Sequence, residues 1–220
     1  MPTDTWYRLP AARRQAVLDA AEAEFAARGF SGGSLNTIAR NAKVSKGSLF
    51  QYFTDKAEMY AHLSDLASVR IRTAMVRRIE EMAWTEDFFG SLRAMLLVWT
   101  EYFDTHPVDR AFTAAVSLEP DPAARSAVRF VVNRHYIEVL RPLLQIAREA
   151  GQLDREADLD AFLALLLLLM PHLAIAPNSP GLDPVLGLTD ADPATTAEAV
   201  DRLVGVLRSG FAPQETKASR

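Results

Sequence analysis

The segment from Ser34 to Phe53, SLNTIARNAKVSKGSLFQYF, permits few folds. Ser34 is suited to open a helix, because its hydroxyl can accept a hydrogen bond from a free amide in the first turn. Behind it Leu35, Ile38, Ala39 and Ala42 recur at three-and-four spacing, which makes one face of a short helix apolar. Val44 fills the gap that follows, and Ser45 repeats the capping chemistry. Leu49 and Phe53 then stand four apart, on the inner face of a second helix. At about 100° per residue, Gly47 and Gln51 lie opposite that face. Ser48, Phe50 and Tyr52 flank them, and Lys46 occupies the first turn. The spacing predicts two short helices joined by a tight turn, the second with an anchored side and a polar, aromatic, basic side.

That second side suits the major groove of DNA. Glutamine pairs in bidentate fashion with adenine, lysine with guanine and serine with several bases, while an aromatic edge packs on a thymine methyl. Gly47 allows the backbone to approach a partner closely, at some cost in helix stability. Free amides at a helix start also attract phosphate. The same helix pair serves plain packing in other proteins, so the pattern alone leaves an ordinary surface hairpin open.

Flanking segments supply supports. Pro10 suits a helix start. Val17, Leu18, Ala21 and Phe25 form the apolar stripe of a first helix, and Gly29 is a C-terminal stop. Asp55-Lys56-Ala57-Glu58 reads as a capping box opening a fourth helix, with Asp55 as cap and Glu58 reaching back. Residues 1–56 hold eight Lys/Arg against five Asp/Glu, whereas the remainder holds sixteen against twenty-three. A mildly basic head on an acidic body fits a DNA-binding module joined to a domain with another task.

From Arg14 to Leu63 the chain resembles the N-terminal domain of the TetR (tetracycline-repressor) family of bacterial transcription regulators. The resemblance is carried by Val17-Leu18-Asp19-Ala20-Ala21, Phe25, Gly29-Phe30, Ile38-Ala39, Val44 to Leu49, Tyr52-Phe53, Lys56 and Leu63. It implies an all-α protein, with a three-helix DNA-binding domain at 10–56 (helix-turn-helix about 34–53) and a larger helical effector-binding and dimerisation domain at 57–212. Contact with double-stranded DNA is then expected from Ser34, Asn36, Thr37, Lys46, Gly47, Ser48, Phe50, Gln51, Tyr52 and Lys56. Two positions depart from the family pattern. Lys43 stands where the turn most often has glycine, so a non-glycine residue is expected at φ > 0. Phe50 replaces the usual tyrosine, which removes one hydroxyl that could bind phosphate or base.

Beyond residue 56 helices are expected at about 55–82, 85–104, 107–118, 121–150 with a kink at Pro142, 158–174 disturbed by Pro171, and 192–210. Residues 177–192, rich in Pro, Gly and Asp, are expected to be the most mobile loop, and both ends, 1–9 and 213–220, to be loose. The chain has no cysteine, which excludes disulfides and thiolate metal sites. Its start, MPTDTWYRLP, lacks the apolar core of a secretion signal, so a cytoplasmic protein is expected. The strongly apolar run from Phe162 to Met170 is too short for a bilayer that needs about twenty residues, so no membrane is expected.

Aromatic residues gather in the body. Phe88, Trp99, Tyr102, Phe103, Phe112, Phe130 and Tyr136, with Asn133, His135 and His172 among them, could line a cavity for a small, largely apolar effector. The 158–174 and 192–210 helices are apolar around most of their circumference, which suggests a covered outer face. In the family such helices pair with their copies, so Phe162, Leu166, Leu169, Val200, Leu203 and Leu207 are expected in a homodimer interface. Catalysis is not expected. A di-iron bundle needs paired Glu-x-x-His motifs, whereas His135-x-x-Glu138 runs in reverse and stands alone, and His62, His106 and His172 are scattered. No cofactor is expected. A helical adaptor for a partner protein would explain the body but not the helix pair at 34–53.

Overall fold

The computed structural model describes residues 2–214. Among these residues it contains α-helices and no strand, in the order α1 (Asp4–Tyr7), α2 (Ala11–Gly32), α3 (Leu35–Asn41), α4 (Lys46–Tyr52), α5 (Lys56–Ile79), α6 (Phe88–Thr105), α7 (Pro107–Ser117), α8 (Pro122–Glu149), α9 (Leu159–Ile175), a 3-10 turn at Ala176–Asn178, and α10 (Pro193–Phe211). The helix starts follow local chemistry. Asp158 accepts from the amides of Asp160 and Ala161 at 3.0 and 2.9 Å, and Asp192 from Thr195 at 2.7 Å. Gly29 breaks the α2 path at φ 64°, and Gly151, at φ 74°, follows the end of α8. Helices α8 and α9 continue through Pro142 and Pro171.

The chain forms two compact units. One comprises Met1–Arg72 with His106–His135, the other Thr73–Thr105 with Tyr136–Arg220. In the first, α7 and α3 pack against α2, and α4 packs against α3 and α1. Its core joins Val17, Ala21 and Phe25 of α2 to Ile38, Leu49, Phe53, Tyr60, Phe112, Val116 and Val128. Arg70 of α5 ties the same layers by hydrogen bonds to Glu22 of α2, at 2.6 Å, and to the buried Asp109 of α7.

In the second unit α6 packs against α9 and α10. Phe88, Leu92, Met95, Leu96 and Phe103 of α6 are all essentially inaccessible, as are Phe162, Leu166 and Val200. The indole of Trp84 donates to the carbonyl of Ile79 at 2.8 Å and so satisfies an acceptor at the end of α5. Arg93 pairs with Asp201 across α6 and α10, and Arg141 with Asp160 across α8 and α9 at 2.8 Å.

Several expectations change. The N-terminus is not loose: α1 forms there, and Trp6 is 2% exposed. Residues 215–220 lie outside the described residues. The loop expected to be most mobile is organised around Asp183, whose carboxylate accepts from the amides of Val185, Leu186 and Leu188 and seats Leu188 in the core. A helix long and apolar enough to cross a membrane by length and composition does occur, at Leu159–Asn178 with mean hydropathy 2.1. It is longer than the Phe162–Met170 run suggested, because the flanking alanines and leucines extend it. Half of that window is buried within the protein.

Trp6 packs on Phe53 with ring centroids 4.9 Å apart, and on Tyr52 at 5.9 Å. Trp6→Ala is therefore expected to destabilise the first unit by about 3–5 kcal/mol, the range for deleting a buried large aromatic. Urea denaturation followed by amide exchange within α4 measures it.

Candidate nucleic-acid interface

The interface is built from α3, α4 and the turn between them. The Ser34 hydroxyl accepts from the Thr37 amide at 3.3 Å, and the Ser45 hydroxyl from the Ser48 amide at 3.0 Å, so each helix begins on its expected cap. Between them Lys43 adopts φ 55°. This left-handed conformation closes the turn, where the amide of Val44 donates to the carbonyl of Ala39 at 3.0 Å. Ile38, Ala39, Leu49 and Phe53 face the core.

The opposite side is open. Lys46, Gly47, Phe50 and Gln51 of α4 and Asn36 of α3 are exposed, with Ser34, Thr37 and Ser48 half-buried. A Cβ built on Gly47 would meet only the Ser45 hydroxyl, at 3.7 Å, so nothing inside the protein demands glycine at that position. Arg40 and Lys43 are also exposed on α3 and its turn. They extend the basic edge, and their place in a short polar stretch gave no separate signal in the sequence.

Two predicted contact residues sit elsewhere. Tyr52 is 4% exposed and stacks toward Trp6, so its ring belongs to the core rather than to the open face. The Lys56 ammonium turns inward. It donates to the carbonyls of Phe30 at 2.6 Å and Gly33 at 3.2 Å, and lies 4.3 Å from the Phe30 ring centroid. Asp55 caps α5 as expected, accepting from the Glu58 amide at 2.8 Å, whereas the Glu58 carboxylate reaches one residue further back than a capping box requires and accepts from the Thr54 amide at 2.6 Å.

Two supports were not anticipated from sequence. Thr3 binds the C-terminal end of α4, its hydroxyl donating to the Gln51 carbonyl at 2.6 Å and its amide to the Tyr52 carbonyl at 3.0 Å. Glu119, 2% exposed between α7 and α8, accepts from the Phe30 amide at 2.8 Å, the Ser31 hydroxyl at 2.6 Å and the Asp121 amide at 3.1 Å. Burial raises the pKa of this carboxyl, but the hydrogen bonds from Ser31, Asp121 and Phe30 together hold it below its ordinary value.

The residues expected to line an effector cavity divide between the units. Trp99, Tyr102, Phe103 and Tyr136 lie in the second. Trp99 meets Phe103 at 4.7 Å and Tyr136 at 5.6 Å, and its indole donates to the Met170 carbonyl at 2.7 Å. Phe88 of the same unit packs on Phe162 at 5.8 Å, and His172 is half-buried. Phe112 instead belongs to the core of the first unit, edge-on to Tyr60 at 5.6 Å. Phe130 is 77% exposed, and a ring so open lines no cavity. His135, also of the first unit, holds Asp65 through Nε2 at 2.8 Å, while its buried Nδ1 has no hydrogen-bond partner. Asn133 is half-buried.

The residues expected at a dimer interface divide in the same way. Phe162, Leu166, Val200 and Leu207 are buried inside the second unit, leaving no surface for a partner. Leu169 and Leu203 are half-buried. The outer apolar surface of α9 and α10 is formed instead by Leu165, Leu168 at 70% exposure and Val206 at 73%.

The capped helix pair with its open polar face has the form of a helix-turn-helix motif. The sequence profile of bacterial regulatory proteins of the tetR family matches residues 17–63. The chain is 24% identical over 157 residues, 70% of each chain, to the "Probable acrEF/envCD operon repressor" of Escherichia coli (strain K12). A TetR family transcriptional regulator from Chloroflexus aurantiacus J-10-FL has a similar structure, with TM-score 0.65, 24% identity, and coverage of 97% of this chain and 100% of that one. The fatty acid degradation regulator FadR of Bacillus halodurans superposes with TM-score 0.70 at 18% identity, over 91% and 98% of the two chains. FadR of Bacillus subtilis, in complex with stearoyl-CoA, gives 0.66 at 17%, over 86% and 96%. At these identities the structural likenesses establish the fold alone. The profile match and the Escherichia coli repressor make the chain similar to regulators of the TetR family, most directly over residues 17–63.

The lowered pKa of Glu119 sets an acid limit. Its stabilising contribution is complete above the ordinary carboxylate value of 4.5 and is lost as pH falls through the lower folded value. Acidification below about 4.5 is expected to loosen the first unit, and Glu119→Gln to flatten that dependence, as read from thermal midpoints across pH.

Proposed function

We propose that this protein is a ligand-responsive repressor that binds a palindromic operator as a homodimer and leaves it when a small, largely apolar effector enters the body. The observation that carries the reading is the division of α4 into a buried flank, Leu49 and Tyr52, and an open flank, Lys46, Gly47, Phe50 and Gln51. Gln51 and Lys46 supply base-directed hydrogen-bonding groups, Phe50 a surface for a thymine methyl, and Ser34, Asn36, Thr37 and Ser48 contacts to backbone or bases. Arg40 and Lys43 add positive charge beside them.

Two copies related by a two-fold axis would set their α4 helices about 34–36 Å apart, on successive major grooves. Leu165, Leu168 and Val206 give α9 and α10 an apolar outer surface that suits pairing with a second copy. The aromatic group at Trp99, Tyr102, Phe103 and Tyr136 favours an apolar effector. The stearoyl-CoA complex of Bacillus subtilis FadR is consistent with such a ligand for this fold. Helix α5 begins at the reading head and continues into the body, which makes it the natural carrier of the response. The effector must bind the two states unequally, by about 1–3 kcal/mol, to release DNA.

Selection of duplexes from a random pool, with and without candidate effectors, tests the proposal. A symmetric site with salt-dependent affinity supports it. No preference over random competitor refutes it and leaves a helical adaptor. Gln51→Ala is expected to lose about 1–3 kcal/mol of discrimination at one base pair per half-site, with the dimer intact. Leu168→Glu is expected to yield folded monomers with weakened DNA binding, by sedimentation and by anisotropy on the selected duplex. A persistent dimer would remove α9 from the interface.

A further inference from the structure

Helix α4 ends without the closure that a helix commonly makes for itself. The usual stop is a left-handed residue that turns later amides back onto the last carbonyls. Phe53 instead leaves α4 extended, at φ −131° and ψ 140°, and its own amide serves Leu49 at 2.9 Å. The next amide, of Thr54, is taken by Glu58. The carbonyls of Gln51 and Tyr52 therefore depend on donors from outside the helix.

Thr3 supplies both. Its hydroxyl donates to the Gln51 carbonyl at 2.6 Å and its amide to the Tyr52 carbonyl at 3.0 Å. Among the described residues no other donor reaches either oxygen. Thr3 also stands just before α1, where a threonine oxygen ordinarily accepts from an amide of its own helix. It makes no such bond, so its side chain serves α4 rather than α1. Trp6 holds the segment in place, its ring against Tyr52, Phe53 and, edge-on at 6.0 Å, His62.

The two ends of α4 are thus fixed by different means. Ser45 holds the start, beside Lys46, by its 3.0 Å bond to the Ser48 amide. Thr3 holds the end, at the backbone of Gln51 itself. A glutamine meets adenine through two hydrogen bonds at once, and a site of that kind must be held to about 0.5 Å. In a helix of two turns, releasing the last carbonyls releases the residue from which that side chain starts.

We infer that Thr3 is a positioning residue for DNA recognition: its hydroxyl fixes the backbone at Gln51 and so sharpens selection at the base pair that Gln51 reads. The inference rests on the proposed reading role of Gln51. It gives the short segment before α2 a part in specificity, exerted on one end of the reading helix only.

The test uses the full-length protein and the duplex that the wild type selects from a random pool. A second duplex is altered at the base pair where Gln51→Ala loses discrimination, and a third at another base pair of the half-site. Thr3→Val keeps the shape and the amide and removes only the hydroxyl. It is expected to cut discrimination at the first of these base pairs by roughly three- to ten-fold, the scale of one hydrogen bond. Discrimination at the other base pair should stay at the wild-type value, and Thr3→Ser should restore the first. In the Gln51→Ala background Thr3→Val should add no further loss, since both act through one contact. General loosening of the head would instead weaken every duplex alike and add to Gln51→Ala. Either of those results overturns the inference, as does wild-type discrimination in Thr3→Val. Amide exchange in the DNA-free protein separates the latch from the reading role. Exchange at Phe53, whose N–H closes the last turn of α4, should quicken in Thr3→Val and return in Thr3→Ser. Unchanged exchange there overturns the latch whether or not the wild type selects a duplex. Quickened exchange in a protein that selects no duplex, or whose Gln51→Ala variant discriminates like the wild type, overturns the reading role and the positioning role with it.

Discussion

A helix of two turns has almost no stability of its own, because nucleation costs more than so few hydrogen bonds return. Helix α4 is such a helix, and it must present side chains to a partner without bending away. The rest of the first unit answers that constraint. Ser45 caps its start, Leu49 anchors its middle, and Tyr52 with Phe53 closes its end against Trp6. Thr3 takes two of its last carbonyls, which would otherwise point into space. What is left free is the flank that carries Lys46, Phe50 and Gln51.

The parts of this design that act within a few residues were legible in the sequence. Serine caps and the break at Gly29 follow from local backbone chemistry and lie where the spacing predicts, and Lys43 is left-handed as the family resemblance implies. The misplacements have separate causes. Helix α9 is apolar nearly all round, so periodicity could not tell its core side from its outer side, and Phe162 and Leu166 were placed on the wrong one. Tyr52 lies on the flank of α4 that α1 covers, and a four-residue helix leaves no repeat in a sequence. Glu119 stands beside a proline in the short α7–α8 turn. Its importance depends on a partner 89 positions away, which no local pattern records.

The charge asymmetry has a structural counterpart. Arg40, Lys43 and Lys46 sit exposed on the open side of the helix pair, whereas acids of α2 are engaged. Glu22 pairs with Arg70, and Glu24, almost fully buried, accepts from the Ser34 amide at 2.9 Å. Acidic groups are thus used inside the head as fasteners, leaving its outer edge basic. In the second unit the aromatic residues pack mostly on one another, and the apolar side chains left uncovered on α9 and α10 are aliphatic.

The first unit is stitched from two stretches of chain separated by α6 and the segments around it. Phe112, Val116 and Val128 complete a core that the N-terminal stretch begins. A chain that ends with the N-terminal stretch would lack Phe112, Val116 and Val128 and leave one flank of that core uncovered. The complete core of the first unit exists only in chains that have already made α6 and half of α8.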